Sequence, residues 1–269
     1  MNEPARIITL TTDFGIRDTY VGIMKGVILG INPDVQIVDL THAIPPQDIH
    51  EAAFTIHAAH RHFPKGTIHT IVVDPGVGTE RQAIVCEIDG TFFVCPDNGV
   101  LSYLLQNINN KAKLAINAVA IQNPDYFLPE VSNTFHGRDI FAPVAAHLSL
   151  GSPLTNIGPP MQGLVKFPIL TPQEFGNTTT GHIIKTDRFG NGITNISENV
   201  IADDTASYEI RVGNTRLKQI NRAYAESEVG EPLAIIGSYG LLEIAINGGN
   251  AEISLGLKRG DTVEIQRLD

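Results

Sequence analysis

The stretch Ile71-Val72-Val73-Asp74-Pro75-Gly76-Val77-Gly78-Thr79-Glu80-Arg81 is an apolar run that stops at a carboxylate and passes straight into a Gly/Pro turn. It reads as a buried strand with Asp74 at its C-terminal end. In open α/β sheets that edge is where ligands sit, so Asp74 points at a pocket. Arg81 is close enough in sequence to return to the same rim and hold the carboxylate through a charge-assisted hydrogen bond. The alternative is an aspartate that only caps its own turn, a common use of Asp.

The first half of the chain alternates strand and helix signals around that stretch. Residues 7–10 form a short apolar β run that ends in Thr11-Thr12-Asp13-Phe14-Gly15. Residues 18–30 follow with Tyr20, Ile23, Met24, Val27 and Ile28 on one side of a helix, and Asn32-Pro33-Asp34 breaks it. A strand over 35–40 leads to Pro45-Pro46. Asp48, three residues before Glu51, then opens a helix running to about His62. The next strand, 67–73, carries the chain to Asp74, and runs 83–88 and 91–94 flank Asp89-Gly90, a strong hairpin signal. The order βαβαβ plus hairpin predicts a mainly parallel sheet with helices on both faces.

A different pattern begins near Leu150. Residues 151–175 carry Pro153, Pro159, Pro160, Pro168 and Pro172 with little periodicity, as expected of an interdomain linker. Beyond them come short β-like runs at 182–186, 208–212, 233–236, 242–246, 251–255 and 262–266, separated by turn residues. These predict a smaller antiparallel β barrel-like domain. The expected organisation is an α/β domain over 1–150, a linker over 151–175 and the β domain over 176–269.

The net charge of −10 argues against nucleic acid or an anionic membrane as the main partner, because both need basic surface. No long uninterrupted apolar stretch exists, and Met1-Asn2-Glu3-Pro4 lacks the basic and apolar regions of a signal peptide, so a cytoplasmic protein is expected. The two cysteines, Cys86 and Cys95, lie on neighbouring β runs and are expected as free, semi-buried thiols.

Several groups can carry chemistry. Asp13 ends the first strand at the same edge as Asp74. It can accept hydrogen bonds from a ribose diol or cap the following helix. No Gly-x-Gly-x-x-Gly follows that strand and no Walker motif occurs, so dinucleotide and triphosphate readings lose support. His136, in Thr134-Phe135-His136-Gly137-Arg138-Asp139, stands just outside a predicted helix over 140–148 for which Asp139 is the expected N-cap. Such a side chain can enter a cleft. His57, His60 and His62 share a helix without a carboxylate ligand or a His-Glu-x-x-His pattern, so a metal site is not expected there. In the second domain, Phe189 offers a stacking face, and Asp187 and Asn191 offer polar groups on the same turn. Gly237-Ser238-Tyr239-Gly240 and Asn247-Gly248-Gly249-Asn250-Ala251 bracket a strand, where glycine lets backbone groups approach a ligand closely.

Taken together, these segments resemble the S-adenosylmethionine hydroxide adenosyltransferase family, relatives of the bacterial fluorinase and chlorinase. The stretches that carry the resemblance lie at 10–15, 20–26, 39–46, 73–78, 96–99, 134–139, 188–191 and 242–251, in order across nearly the whole chain. The resemblance implies hydrolysis of S-adenosylmethionine at C5′ to adenosine and L-methionine. It also implies no cofactor, and a homotrimer with each ligand between subunits. It puts Asp74, Arg81 and His136 in a catalytic set and Asp13 on the ribose diol. Phe189 and Asn191 fall on adenine-contacting positions, and Asp187 and Ser238 at the methionine end. Tyr239, Asn247 and Ala251 complete the substrate-contacting set.

The chemistry suits these residue types. A thioether leaves a sulfonium without needing an acid, whereas water attacks saturated carbon slowly and must be held in line and polarised. Asp74 and His136 are both candidates to take the proton. By the same resemblance, halogenating relatives carry an aromatic residue where Asp74 stands, a serine where Gly137 stands, an arginine where Tyr239 stands, and an extra loop that is absent here. A carboxylate beside the nucleophile would repel a halide. The competing readings are a halide-dependent adenosyltransferase, a non-catalytic adenosine or S-adenosylmethionine binder, and a metal hydrolase built on the histidine-rich helix.

Overall fold

The computed structural model describes residues 7–110, 115–201 and 207–268. It comprises two compact units, Met1–Pro168 and Ile169–Asp269. The first unit contains β1 (Ile7–Thr12), α1 (Tyr20–Ile31), β2 (Gln36–Thr41), α2 (Ile49–Ala59), β3 (Ile68–Val72), β4 (Ala83–Ile88), β5 (Thr91–Pro96), α3 (Ser102–Asn110), β6 (Ile116–Ala120), α4 (Ala142–Ser149) and α5 (Leu154–Ile157). Its six strands lie in the order β2-β1-β3-β5-β4-β6. β1 runs parallel to β2 and β3, and β3 parallel to β5, whereas β4 is antiparallel to both β5 and β6.

Successive residues of β3 and the turn after it serve opposite faces of this sheet. Val72 packs in the layer with Met24 and Ile28 of α1 and Val144 and Ala145 of α4. Ile71 and Val73 pack in the other, with Ala52 and Ile56 of α2 and Leu101 and Leu104 around α3. A strand covered on both faces must be apolar at every position, which is why the run up to Asp74 is unbroken. Asp48 caps α2 by accepting from the Glu51 amide at 2.9 Å. Cys86 and Cys95 are free and buried on neighbouring strands, and burial raises both thiols, that of Cys86 to about 12.

Two local expectations are corrected in this unit. Residues 151–168, expected as linker, belong to it: the Ala120 amide donates to Pro159 and the Met161 amide to Ala118, which fastens the segment along β6. Proline-rich sequence lacks periodicity yet still offers carbonyls to a sheet edge, so composition alone misread it. Asp139 is not an N-cap. It lies inside a π turn, Gly137–Phe141, that runs into α4, and it is completely buried.

The second unit contains β7 (Gln173–Phe175), β8 (Thr178–Thr186), β9 (Gly192–Ser197), β10 (Tyr208–Val212), β11 (Thr215–Leu217), β12 (Ile220–Asn221), β13 (Pro232–Ile236), β14 (Leu241–Ile246), α6 (Ala251–Leu255) and β15 (Thr262–Arg267). The strand path β11-β10-β15-β8-β9-β14-β13-β12 is antiparallel except for the β12–β13 pair, and β7 pairs with β8. It is barrel-like around a core that includes Ile183, Ile196, Ile210, Leu242, Ile244 and Ile265. Residues 251–255, expected as a strand, are α6. The Asn250 side chain caps it by accepting from the Ile253 amide at 2.8 Å, and Gly256 ends it in the left-handed region at φ 69°. Five alternating residues fit either period, and the cap decides.

Candidate active site

Thr12 pairs with Val72 across β1 and β3, so Asp13 and Asp74 leave the sheet at the same C-terminal edge. The Asn98 side chain fixes that edge further by donating to the Val73 carbonyl at 2.9 Å. The turn after β3 then brings Arg81 back. Its Nε lies 3.0 and 2.9 Å from the two Asp74 oxygens, and its Nη2 donates to Asp74 Oδ2 at 2.5 Å. Gly78 makes the return possible: its φ is 75°, and an added Cβ would stand 2.4 Å from the Asn133 carbonyl oxygen. The pair is well shielded, with 11% of the Arg81 side chain and 5% of the Asp74 side chain exposed. The guanidinium also lies 5.4 Å from the centre of the Phe141 ring.

His136 completes the group: Arg81 Nη2 lies 2.7 Å from its Nδ1. A guanidinium has no acceptor, so Nδ1 accepts and a neutral His136 carries its proton on Nε2. Burial chiefly, and then the charge of Arg81, hold the His136 pKa below its ordinary value. Asp139 ties down the segment that leads into His136. Its Oδ2 accepts from both the Ser132 amide and the Ser132 hydroxyl at 2.8 Å, and Arg138 Nε donates to its Oδ1 at 2.5 Å. The Ser132 hydroxyl in turn accepts from the Phe135 amide at 3.1 Å. Phe135 meets Tyr20 and Phe14 edge-on, with ring centres 5.1 and 5.8 Å apart.

Asp13 is not a helix cap, because α1 begins only at Tyr20 with Thr19 before it. Its Oδ2 accepts from the Gln47 amide at 2.7 Å, which leaves the other oxygen for a ligand. The histidine-rich helix is used for packing. His57 stacks on Tyr103, and His60 Nδ1 bonds to backbone carbonyls within the same helix. Among the described residues no group of three or more His, Cys, Asp or Glu side chains is placed to hold a metal.

In the second unit the turn after β8 is built on Asp187. Its Oδ1 accepts from the Phe189 and Asn191 amides at 2.9 Å, and its Oδ2 from the Asn191 side chain at 3.0 Å. Asn191 is thereby buried, while Phe189 stands 73% exposed. Gly190 lies directly under the Asn250 side chain, and its carbonyl accepts from the Glu252 amide at 2.8 Å. That contact ties the Asp187 turn to the start of α6, where Ala251 is buried. Ser238 and the 41%-exposed Tyr239 occupy the turn between β13 and β14. Asn247 is used differently: its side chain donates to the Ser227 carbonyl at 2.7 Å and its amide to Glu231, fastening the 227–231 loop.

Sequence reasoning gave Asn98 and Glu243 no role and took Asp139 only as a helix cap. Asn98 and Asp139 sit within motifs that had been noticed, but their partners lie in other elements. Glu243 is a lone charge inside the apolar run Leu242-Glu243-Ile244-Ala245-Ile246, and that interruption was the signal available.

The fold and site define an α/β unit with an Asp–Arg–His set at its sheet edge, followed by an antiparallel β unit with its own polar cluster. Residues 8–158 match the SAM hydroxide adenosyltransferase N-terminal domain, and residues 181–264 match the C-terminal domain. The chain belongs to the SAM hydroxide adenosyltransferase family. It is 36% identical to the (R)-S-adenosyl-L-methionine hydrolase of Thermus thermophilus, over 97% of this chain and 99% of that one. It is 26% identical to the fluorinase of Nocardia brasiliensis over 97% of this chain and 96% of that one. A crystal structure of an uncharacterized conserved protein from Thermotoga maritima superposes with a TM-score of 0.88 at 37% identity, covering 97% of this chain and 100% of that chain.

Proposed function

We propose that this chain hydrolyses S-adenosyl-L-methionine at C5′, giving adenosine and L-methionine. The observation that carries this reading is the shielded Asp74–Arg81–His136 set at the sheet edge beside Asp13. Four curated relatives, all at least 34% identical, bear the name (R)-S-adenosyl-L-methionine hydrolase, and we extend their sulfonium configuration to this chain as well.

In the reaction a water oxygen forms a bond to C5′ as the C5′–S bond breaks. The bonding pair goes to sulfur, methionine leaves as a neutral thioether, and one water proton must be taken up. The hydrogen-bond pattern favours Asp74 as the acceptor. The His136 Nδ1 lone pair is occupied by Arg81, so a neutral His136 can offer only its Nε2–H, as a donor, and cannot take the proton. Each Asp74 oxygen keeps acceptor capacity beyond what Arg81 takes. Arg81 holds both partners in place and stabilises the anionic character that develops on the water oxygen. Asp13 accepts from the ribose diol. Phe189 and Asn191 face adenine, with Asp187, Ser238 and Tyr239 toward the amino-acid end, and Ala251 belongs to the substrate-contacting set. Asn247 acts by fastening its loop.

A halide in place of water is disfavoured by the Asp74 carboxylate. A serine at Gly137 is disfavoured as well, because its Cβ would lie 3.2 Å from Phe135 and 3.3 Å from Met24 and Val72. The test is to incubate the protein with each separated sulfonium epimer of S-adenosylmethionine, with and without excess chloride, and to follow products by chromatography with mass detection. Equal adenosine and methionine, indifferent to chloride, is the expected result. A 5′-chlorinated nucleoside would establish the halide reading, and adenosine binding without turnover the binder reading.

We further propose a cytoplasmic homotrimer. Ile16, Tyr20 and Ile23 are exposed apolar side chains in and before α1, which supports burial against another copy. Among the described residues no helix is long and apolar enough to cross a membrane. Light scattering coupled to size exclusion gives the stoichiometry directly.

A further inference from the structure

His42 ties the turn that carries Asp13 to strand β2 through both its side chain and its backbone. β2 keeps register with β1 as far as Asp39 opposite Leu10, then slips by one residue, so that Thr41 stands opposite Thr11. The extra residue carries His42 to Thr12, the last residue before Asp13. His42 Nδ1 lies 2.9 Å from the Thr12 hydroxyl, and Nε2 lies 3.0 Å from Asp39 Oδ1. Asp39 is anchored in turn by Lys25 of α1, whose Nζ donates to Oδ2 at 2.6 Å. His42 and Thr12 are both buried. The Asp39 carboxylate favours the Nε2–H form of neutral His42, which leaves Nδ1 to accept from the Thr12 O–H. The Thr12 oxygen then accepts from the Phe14 amide at 3.2 Å, and the His42 carbonyl accepts from the Gly15 amide at 2.8 Å.

Asp13 is thereby flanked on both sides by bonds that run to His42. It needs them, because it opens a stretch over residues 13–19 that no helix or strand organises. A further contact comes from Gln47, whose amide holds Asp13 Oδ2. Gln47 follows Pro45-Pro46 and sits at φ 66°, a left-handed conformation that costs a residue with a side chain and persists only where its surroundings fix it. The β1–β2 ladder already joins the two strands, so fastening them does not account for a buried imidazole linked to a charged pair. In the order β2-β1-β3, His42 lies two strands from Asp74, roughly 10 Å at ordinary strand spacing, too far to touch the reacting atoms. Any effect on the reaction must pass through Asp13. We infer that His42, held between Asp39 and Thr12, is the positioning residue that aims the Asp13 carboxylate at the ribose diol. This rests on the role given to Asp13 in the proposed hydrolysis.

Adenosine and 2′,3′-dideoxyadenosine separate this role from general damage to the site, because they differ only in the diol. Calorimetry on the full-length protein should show His42→Phe weakening adenosine binding by roughly tenfold while dideoxyadenosine stays within about twofold. His42→Asn should keep most of the adenosine affinity, because its side-chain oxygen can replace Nδ1 as the acceptor for Thr12. Thr12→Val cuts the same link from the other end, so combining it with His42→Phe should cost far less than the two losses added together. In hydrolysis, His42→Phe should raise KM for S-adenosylmethionine far more than it lowers kcat, since the diol is held equally before and during bond breaking.

Should His42→Phe fail to fold, Thr12→Val and His42→Asn give the same comparison, the first losing the preference for the diol and the second keeping it. Equal loss of both nucleosides, or loss of neither, overturns the assignment. A His42→Asn variant as weak as His42→Phe overturns it too. In each of these cases the hydrolase reading stands if the unmodified protein turns over S-adenosylmethionine. An unmodified protein that binds both nucleosides equally removes the ribose role of Asp13 and this inference with it. One that is inert to S-adenosylmethionine and binds neither nucleoside removes the hydrolase reading as well.

Discussion

The two polar clusters differ in how they satisfy their charges. At the sheet edge of the first unit, Asp74 is clamped by two nitrogens of Arg81, Arg81 also holds His136, and Asp139 is fully bonded underneath. In the second unit, Asp187 is bonded only by its own turn and Glu243 has no partner among the described residues. A set that must polarise water benefits from being assembled before the substrate arrives, because preorganised dipoles cost no reorganisation in the transition state. On the function proposed above, the first cluster serves reaction and the second recognition.

The largest test of this contrast is Asp74→Asn. It should lower kcat by roughly 10³ or more while adenosine affinity stays within about twofold, measured by single-turnover kinetics and calorimetry. A parallel loss of both would mean that Asp74 binds rather than reacts. Asp139→Ala should reach the same site indirectly. Removing a buried, multiply bonded carboxylate costs about 3–5 kcal/mol in thermal or urea unfolding, and the loosened Ser132–His136 segment should lower kcat by roughly tenfold more than KM changes.

The pH dependence sharpens the difference further. His136 must be neutral to accept from Arg81, and burial and Arg81 lower its pKa, so the acid limb of kcat should fall below the ordinary value of 6.5. An acid limb above 6.5 would contradict the bonded arrangement.

Stability should show a separate acid response from the interior of the first unit. Burial lowers His57 to about 4 and His69 to about 3, with the charge of His60 a lesser cause. Both are neutral when folded and protonate more readily when unfolded. Their contribution is therefore held above pH 6.5 and lost as pH falls toward 4 and 3, lowering Tm by roughly 5–10 °C between pH 7 and 4. The smallest effect belongs to Asn98→Ala, which removes one hydrogen bond to Val73 and should cost about 1 kcal/mol, with a modest drop in kcat.

Much of the fold was legible because burial imposes a period. The run before Asp74 announced a strand covered on both faces, and the side of α1 that bears Met24 and Ile28 announced a helix packed on it. Strands 208–212 and 242–246 were readable on the same grounds. The signal failed where segments are too short to show a period or too polar to show a face. β9 carries Gly192 and Asn195 among its apolar residues and escaped notice, as did the three-residue β7 and β11. At the site, Asp74 and Arg81 could be paired from sequence because one turn joins them, and the aspartate cap of α2 was equally local.

The sequence by itself therefore determined the alternation of elements, the carboxylates at the ends of β1 and β3, and the Arg81 return, all consequences of interactions within a few residues. Only the tertiary structure decided the rest. It set His136 against Arg81 across 55 residues of chain, put Asp139 inside a π turn rather than at a helix cap, and made 251–255 a helix. It also buried Glu243 with no hydrogen-bond partner among the described residues. A local pattern records which residues avoid water, whereas the satisfaction of a charge depends on which distant groups the packed chain brings within three ångströms.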